Sequence, residues 1–195
     1  MYGPIAETIR TQRLVLEPLA VHHADEMAPV LDDPRLHRYI GGEPADLREL
    51  RARYARLVAG PAPFHQEGWL NWIVRRARDG QAVGYVQATV APAAPGFTVT
   101  PPSAGSTVTP GPPRHTASVA WVIGMPYQGF GFATEAARAL LDWLRAHGIE
   151  GVVATIHPGN RASAAVAFKI GLVATGETSG EEIVWRLPSG APPPA

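Results

Sequence analysis

A glycine-spaced turn between a predicted strand and a predicted helix is the clearest sign of chemistry in this sequence. The strand ends at Gly124, the turn runs from Met125 to Phe132, and an amphipathic helix follows from about Ala133 to His147. Such a turn leaves backbone N–H groups without partners at a helix N-terminus, where the helix dipole adds positive potential. The ligand that this arrangement favours is a phosphate or pyrophosphate, which indicates a nucleotide-type cofactor.

Two well-known phosphate loops do not fit this turn. A Walker loop requires Gly-Lys-Ser/Thr, whereas Phe132, Ala133 and Thr134 follow Gly131 here. A dinucleotide fingerprint requires a third glycine at the position of Thr134 and an acidic residue about twenty positions later, where this chain has none around Thr155.

The turn instead resembles that of the GCN5-related N-acetyltransferases (GNAT), in which Gln/Arg-x-x-Gly-x-Gly/Ala binds the pyrophosphate of acetyl-CoA. The resemblance implies that acetyl-CoA is the co-substrate, with contacts from Gln128, Gly129, Phe130, Gly131, Phe132, Ala133 and Thr134. Two further segments are similar to the same family. The opening Thr11 to Leu19 resembles the RimJ/RimL-like branch, and in the segment from Asn160 to Leu172 the resemblance implies that Asn160 reaches the pantetheine arm.

Hydrophobic periodicity and turn residues place these segments on a mixed α/β fold. An Asp-Gly turn at residues 79–80 predicts an antiparallel hairpin, and the nearly all-apolar run from Gly151 to Ile156 predicts a buried strand parallel to the one before the turn. We therefore expect a GNAT-like, mostly antiparallel sheet with helices on both faces. The predicted strands are 14–18, 68–75, 82–90, 117–123, 151–156 and one within 177–187, and the predicted helices are 25–31, 45–58, 133–147 and 161–170.

The two parallel strands are expected to separate, so that the pantetheine arm inserts between them and uses their free backbone groups. One N–H, at Val122 or Ile123, would then point at the thioester carbonyl and stabilise the oxyanion that forms when an amine attacks. No side chain is required for that step, but two proton transfers remain.

The acid that protonates the leaving thiolate is a tyrosine in many GNAT relatives, seven residues after the helix-start asparagine. That position is Ala167 here, and the neighbouring Phe168 has no hydroxyl. In the RimJ/RimL-like branch a serine three residues after the asparagine is a suggested substitute, and Ser163 matches it. The alternative is that Ser163 is a first-turn serine that bonds to the helix backbone.

Candidates for the base that deprotonates the amine are Glu67, His65, Glu135 and a water held by backbone carbonyls. Glu67 is the predicted catalytic base because it immediately precedes a strand, although it could also be a solvated loop acid. Glu135 is interpreted as structural because the helix dipole favours a carboxylate in the first turn. His157 is interpreted as a strand-end residue; the seven histidines show no metal-ligand spacing, so no metal is predicted.

Composition limits the remaining possibilities. The 195 residues predict a single domain, with net charge +0, no cysteine and no apolar run long enough to span a membrane. We therefore expect a cytoplasmic monomer or homodimer that binds neither nucleic acid nor membrane. The stretch from Ala91 to Thr116 contains seven Pro and three Gly and is predicted to be an exposed insertion, either a gating flap or a passive loop; residues 188–195 form a Pro-rich tail.

The sequence thus predicts an N-acetyltransferase that moves an acetyl group from acetyl-CoA to a primary amine, either a protein N-terminus or a small molecule. A non-catalytic CoA-binding or regulatory module of the same fold is one alternative, favoured by the missing tyrosine. A nucleotide-binding protein of another family is the second alternative.

Overall fold

A computed structural model of the protein describes residues 3–62, 64–93 and 115–188. Eight strands form one sheet in the order β1-β2-β3-β4-β5-β6-β8-β7, and every neighbouring pair is antiparallel except β5 and β6. The strands are β1 Ile9–Arg10, β2 Leu14–Pro18, β3 Gly68–Arg76, β4 Ala82–Pro92, β5 His115–Ile123, β6 Gly151–Ile156, β7 Val173–Ser179 and β8 Glu182–Arg186. The helices are α1 Ala24–Leu31, α2 Pro34–Ile40, α3 Leu47–Ala59, α4 Phe132–Ala146 and α5 Arg161–Lys169.

The predicted fold class is confirmed: the sheet is mixed and mostly antiparallel, with helices on both faces. The sequence prediction missed three elements. The two-residue β1 is too short for periodicity, and α2 is a seven-residue helix that begins at a proline after the Asp33 cap. The third, β7, is a mostly exposed edge strand of polar residues that lacks the alternation expected of a half-buried strand.

Each face of the sheet is covered by a separate set of helices. On one face α4 buries Leu140 and Leu144 completely against the strands. On the other face α1 and α3 bury Met27 and Leu50 against Ile73 of β3. The burial of these apolar side chains is the main force that holds both helix layers on the sheet.

A partly buried ionic network links α1 to strands β2 and β3. The guanidinium of Arg75 donates to Glu17 at 2.5 Å and to both carboxylate oxygens of Glu26. The hydrogen bond from Arg75 holds the pKa of Glu17 below its ordinary value, and the one to Glu26 raises the pKa of Arg75. Glu17 is therefore charged and paired at neutral pH.

The predicted insertion is shorter at both ends than the sequence indicated. Strand β4 continues to Pro92 and β5 begins at His115, and these two residues face each other in the register. Pro92 is tolerated because it lies at the strand end. Residues 94–114 of the insertion and 189–195 of the tail lie outside the described residues.

Among the described helices, none combines the length and the apolar character needed to cross a membrane.

Candidate active site

The two parallel strands separate partway along their length. Strands β5 and β6 pair only from Thr116 to Ser118 of β5, opposite Gly151 to Val153. Beyond that point β6 pairs with β8 up to Ile156, while β5 continues to Ile123 against β4. The predicted parallel pair is therefore confirmed, and a gap opens between β5 and β6 towards their C-terminal ends.

Strand pairing decides which backbone groups of β5 face this gap. The N–H of Gly124 donates to the carbonyl of Val83 on β4 at 2.9 Å. Because hydrogen-bonded and non-hydrogen-bonded pairs alternate in an antiparallel ladder, the N–H of Val122 also points towards β4. The N–H of Ile123 points the opposite way, into the gap. Val122 and Ile123 were both predicted for the oxyanion contact. Of these two residues, Ile123 is the one whose N–H faces the gap.

The glycine turn presents a run of free amide donors at the same edge of the sheet. Gly129 and Gly131 have φ values of +83° and +80°, a region that favours glycine. None of the backbone N–H groups from Gly129 to Thr134 has a partner among the described residues, and no side chain caps α4. Gln128 instead donates its Nε2 to the carbonyl of Ile123 at 2.9 Å, which joins the turn to the edge of the gap. This geometry suits a pyrophosphate.

The segment before β2 clamps the N-terminus of α4, a contact that the sequence reasoning missed. Arg13 donates its Nε to Glu135 at 2.6 Å and its Nη1 to the carbonyl of Phe130 at 3.0 Å, and Thr11 donates its hydroxyl to Glu135 at 2.6 Å. Burial opposes the ionised form of Glu135, but these hydrogen bonds outweigh it and hold the pKa of its carboxyl below 4.5. The Thr-x-Arg-Leu pattern at residues 11–14 was the signal for this contact.

The start of α5 lies at the same edge, because it follows the C-terminal end of β6. The side chain of Asn160 caps the helix by accepting a hydrogen bond from the backbone N–H of Ser163 at 3.1 Å. The half-buried Ser163 makes no hydrogen bond through its hydroxyl to the described residues, so the predicted alternative of a serine bonded to the helix backbone is not observed. Ala167 is fully buried, and Phe168 is 74% exposed and points away from the core.

Helix α2 contacts the loop between β6 and α5. Its Tyr39 donates its hydroxyl to the carbonyl of Gly159 at 3.0 Å, and its ring lies 5.6 Å from that of His157. His157 accepts a hydrogen bond from the N–H of Gly159 at 3.0 Å, which agrees with its interpretation as a strand-end residue. The loop before Asn160 is thereby held against the helices of the opposite layer.

Glu67 and His65 lie away from this edge. They border a surface groove of about 590 Å³ next to the start of β3, and Glu67 accepts a hydrogen bond from Trp69 Nε1 at 3.2 Å. The register runs from Gly68 through β4 to Ala117 of β5. Because six residues span about 20 Å of strand, the structure does not bring Glu67 together with Ile123.

The two tryptophans of β3 differ in environment. Trp72 is fully buried in the core and donates its Nε1 to the carbonyl of Glu7 at 2.7 Å, as expected of a sheet aromatic. Trp69 is 37% exposed and lines the groove with Glu67. In the described part of the chain, no group of three or more His, Asp or Glu side chains has the placement of a metal site.

A sheet that opens between two parallel strands, beside a helix N-terminus with free amides, defines a CoA-dependent acyltransferase fold. Residues 13–173 match the family model of the acetyltransferase (GNAT) domain. The chain therefore belongs to the GNAT acetyltransferase family and is an acyltransferase that uses acyl-CoA. No curated protein matches the sequence significantly.

Solved structures show the same fold. An acetyltransferase from Agrobacterium tumefaciens is 27% identical, with a TM-score of 0.64 and coverage of 95% of this chain and 96% of that one. A proposed ribosomal-protein-serine acetyltransferase from Vibrio cholerae is 20% identical (TM-score 0.63, coverage 96% and 99%). RimL, a ribosomal L7/L12 alpha-N-protein acetyltransferase, is 16% identical (TM-score 0.64, coverage 94% and 93%).

Proposed function

We propose that the protein transfers the acetyl group of acetyl-CoA to a primary amine by direct attack, and that it is related to the RimJ/RimL-like branch. The observation that supports this most strongly is the run of unpartnered N–H groups from Gly129 to Thr134 beside the gap between β5 and β6. The opening motif and the fold of RimL support the branch. The acceptor is a protein N-terminus or a small-molecule amine.

The reaction forms a C–N bond and breaks the C–S bond of the thioester. The neutral amine attacks the carbonyl carbon, and the N–H of Ile123 stabilises the oxyanion that develops. The amine loses one proton to a base and the departing thiolate gains one from an acid, so that charge and atoms balance. No covalent enzyme intermediate is needed, which is consistent with a chain that lacks cysteine.

Ser163 is our proposed acid because its hydroxyl is unpartnered at the edge where Asn160 begins α5. Asn160 is proposed to reach the pantetheine arm through the part of its side-chain amide that the cap does not use. Glu67 was predicted as the base and stays a prediction. Its place in the groove favours the other candidate, a water held by backbone carbonyls.

One observation favours a second function, a CoA-binding module without turnover. Ala167 occupies the position of the tyrosine acid of many relatives, and the exposed Phe168 does not replace it. The other alternative, a nucleotide-binding protein of another family, is wrong, because the family model covers residues 13–173.

A thermal-shift titration with acetyl-CoA, CoA, ATP and NAD tests cofactor binding. A ligand at one hundred times its Kd stabilises a protein by about 2.7 kcal/mol, and we expect such a shift with the two CoA species only. Release of CoA thiol with a panel of amines then separates the enzyme from the module, since the module binds acetyl-CoA and releases none. Absence of any shift with CoA would refute the proposal. A single domain over residues 1–195, a cytoplasmic location and a monomer or homodimer belong to the same proposal.

A further inference from the structure

A small polar pocket lies on the face of the sheet that α1 and α3 cover. It has a volume of about 50 Å³ and is lined by Arg53 and Tyr54 of α3, Asn71 of β3, and Tyr85 and Gln87 of β4. The pocket lies level with the C-terminal part of β5, which borders the gap. Tyr85 pairs there with Val122, and Gln87 pairs with Ala120. A space of this size holds one small functional group and not a whole substrate.

Hydrogen-bond donors in this pocket lack partners. The hydroxyl of Tyr54 is buried, in a residue only 4% exposed, and bonds to no described group. Arg53 is an exposed residue at the mouth of the pocket, and its guanidinium has no salt bridge or hydrogen bond within the described ranges. The side-chain amides of Asn71 and Gln87 are also unbonded there. Native proteins seldom leave a buried hydroxyl unpaired, so a partner that is not part of the chain is indicated.

The charges around the pocket favour an anion. None of the described residues that line it is acidic. The carboxylate of Glu26, on α1 near Tyr54, is already bound by Arg75. Arg53, Tyr54 and Tyr85 line the same pocket. Burial raises the pKa of the Tyr54 and Tyr85 hydroxyls, while the charge of Arg53 opposes this shift in both. Both hydroxyls are therefore protonated donors at neutral pH beside an unpaired cation.

We propose that this pocket selects the acceptor and takes a carboxylate of the amine substrate, with Arg53 as its counter-charge and the hydroxyls of Tyr54 and Tyr85 as donors. The inference rests on the proposed acetyl transfer. Carboxylate is the group that a guanidinium and neighbouring hydroxyls recognise best at this size. The substrate class is an amino acid-like amine.

The sheet sets the distance between the reacting amine and this carboxylate. The pocket spans strands β4 and β3, which lie one and two strands away from β5 respectively. Strand spacing of about 4.8 Å places the carboxylate about 5 to 10 Å from the amine. Amino acids whose amine and carboxylate are separated by several methylene groups fit this span better than glycine does.

Steady-state kinetics with matched acceptor pairs tests the proposal. Glycine, 4-aminobutanoate and 6-aminohexanoate are each compared with the corresponding carboxamide by release of CoA thiol. We expect the longer acids to exceed their amides at least tenfold in kcat/KM. In Arg53→Gln, KM for these acids should rise at least tenfold, while the amides change less than twofold. Equal rates for acid and amide in the native protein would overturn the proposal.

Arg56→Gln provides the matched control, because Arg56 lies on the same helix, is exposed and does not line the pocket. It should keep the preference for acids, and equal effects of the two arginine variants would also overturn the proposal. Tyr54→Phe offers a second test. Removing an unpartnered buried hydroxyl should leave the melting temperature unchanged or higher while the preference for acids falls. A loss of stability with an unchanged preference would make Tyr54 a core residue only.

Calorimetry keeps this test separate from the proposed transferase activity. Binding of each acid and amide is measured with the protein saturated with CoA, so that no turnover is required. Tighter binding of the acids that Arg53→Gln abolishes would support the pocket even in a protein without turnover. Binding of CoA without any preference for acids would refute the pocket and leave the transferase proposal standing.

Discussion

In the proposed site, the two halves recognise their ligands with different parts of the chain. The CoA side uses backbone groups of nearly continuous sequence, from Ile123 through Thr134. The acceptor side uses side chains of α3, β3 and β4 that are up to 34 residues apart, from Arg53 to Gln87. Backbone recognition tolerates changes of side chain, whereas side-chain recognition depends on each residue type. We therefore expect the CoA side to define the family and the acceptor side to define the substrate.

The largest effect is expected at Ser163, at the start of α5 on the CoA side. Ser163→Ala should slow turnover by roughly 10²-fold with little change in the Kd of acetyl-CoA, because it removes a proton donor and no cofactor contact. Ser163→Thr keeps the hydroxyl and should retain most of the activity. Single-turnover kinetics measures the chemical step directly. If the alanine variant matched the native rate, Ser163 would have only a structural role in α5 and would not be the acid.

The next effect concerns the backbone donors themselves. Gly131→Asp should weaken acetyl-CoA binding by at least about tenfold, or ~1.4 kcal/mol, because it places a carboxylate among amides that bind phosphate and strains a residue at φ +80°. Calorimetry measures the Kd. Gly180→Asp is the control, since Gly180 also has a positive φ of 59° but lies between β7 and β8. Equal affinities in all three proteins would remove the turn from the CoA site.

The clamp on α4 is expected to contribute stability that depends on pH. Glu135→Gln should lower the free energy of unfolding by about 1 kcal/mol at pH 7, because the amide accepts more weakly from Arg13 and Thr11. The pKa of Glu135 is lowered in the folded state, so its contribution is present above its ordinary value of 4.5 and is lost as pH falls through the folded pKa.

Denaturant unfolding of both proteins from pH 7.5 down to about pH 2 measures this difference. The curves should converge at the acidic end, and a difference that is constant with pH would show that the charge of Glu135 is not involved. Glu177→Gln serves as the control, because Glu177 forms an exposed ion pair with Arg186 and such pairs contribute little.

The smallest effect is expected on the acceptor side at Glu67. Glu67→Gln should slow turnover by less than about threefold if a bound water is the base, because the carboxylate is about 20 Å along the strand from Ile123. The pH profile of kcat/KM gives the same information, since it should keep its acidic limb in the variant. A loss greater than tenfold together with loss of that limb would make Glu67 the base and would give the acceptor side a catalytic group.

Local patterns in the sequence were sufficient to predict the strands, the turn and the helix around the CoA side. Strand β6 was predicted with the bounds that the structure shows, because a buried parallel strand is a short apolar run. The turn after β5 could be predicted from the sequence because Gly129 and Gly131 adopt conformations that few other residues tolerate. The order of strand, turn and helix also determined that the following strand is parallel.

Only the tertiary structure decided how distant residues meet. The pairing of Gly124 with Val83 chose Ile123 over Val122 as the residue facing the gap, and strand register separated Glu67 from that position. The contact of Arg13 with Glu135 joins residues 122 positions apart, and Arg53 and Tyr85 line one pocket only because α3 packs on the sheet. Such contacts depend on packing between elements, whereas the periodicity and turn chemistry of a sequence report only on neighbours along the chain.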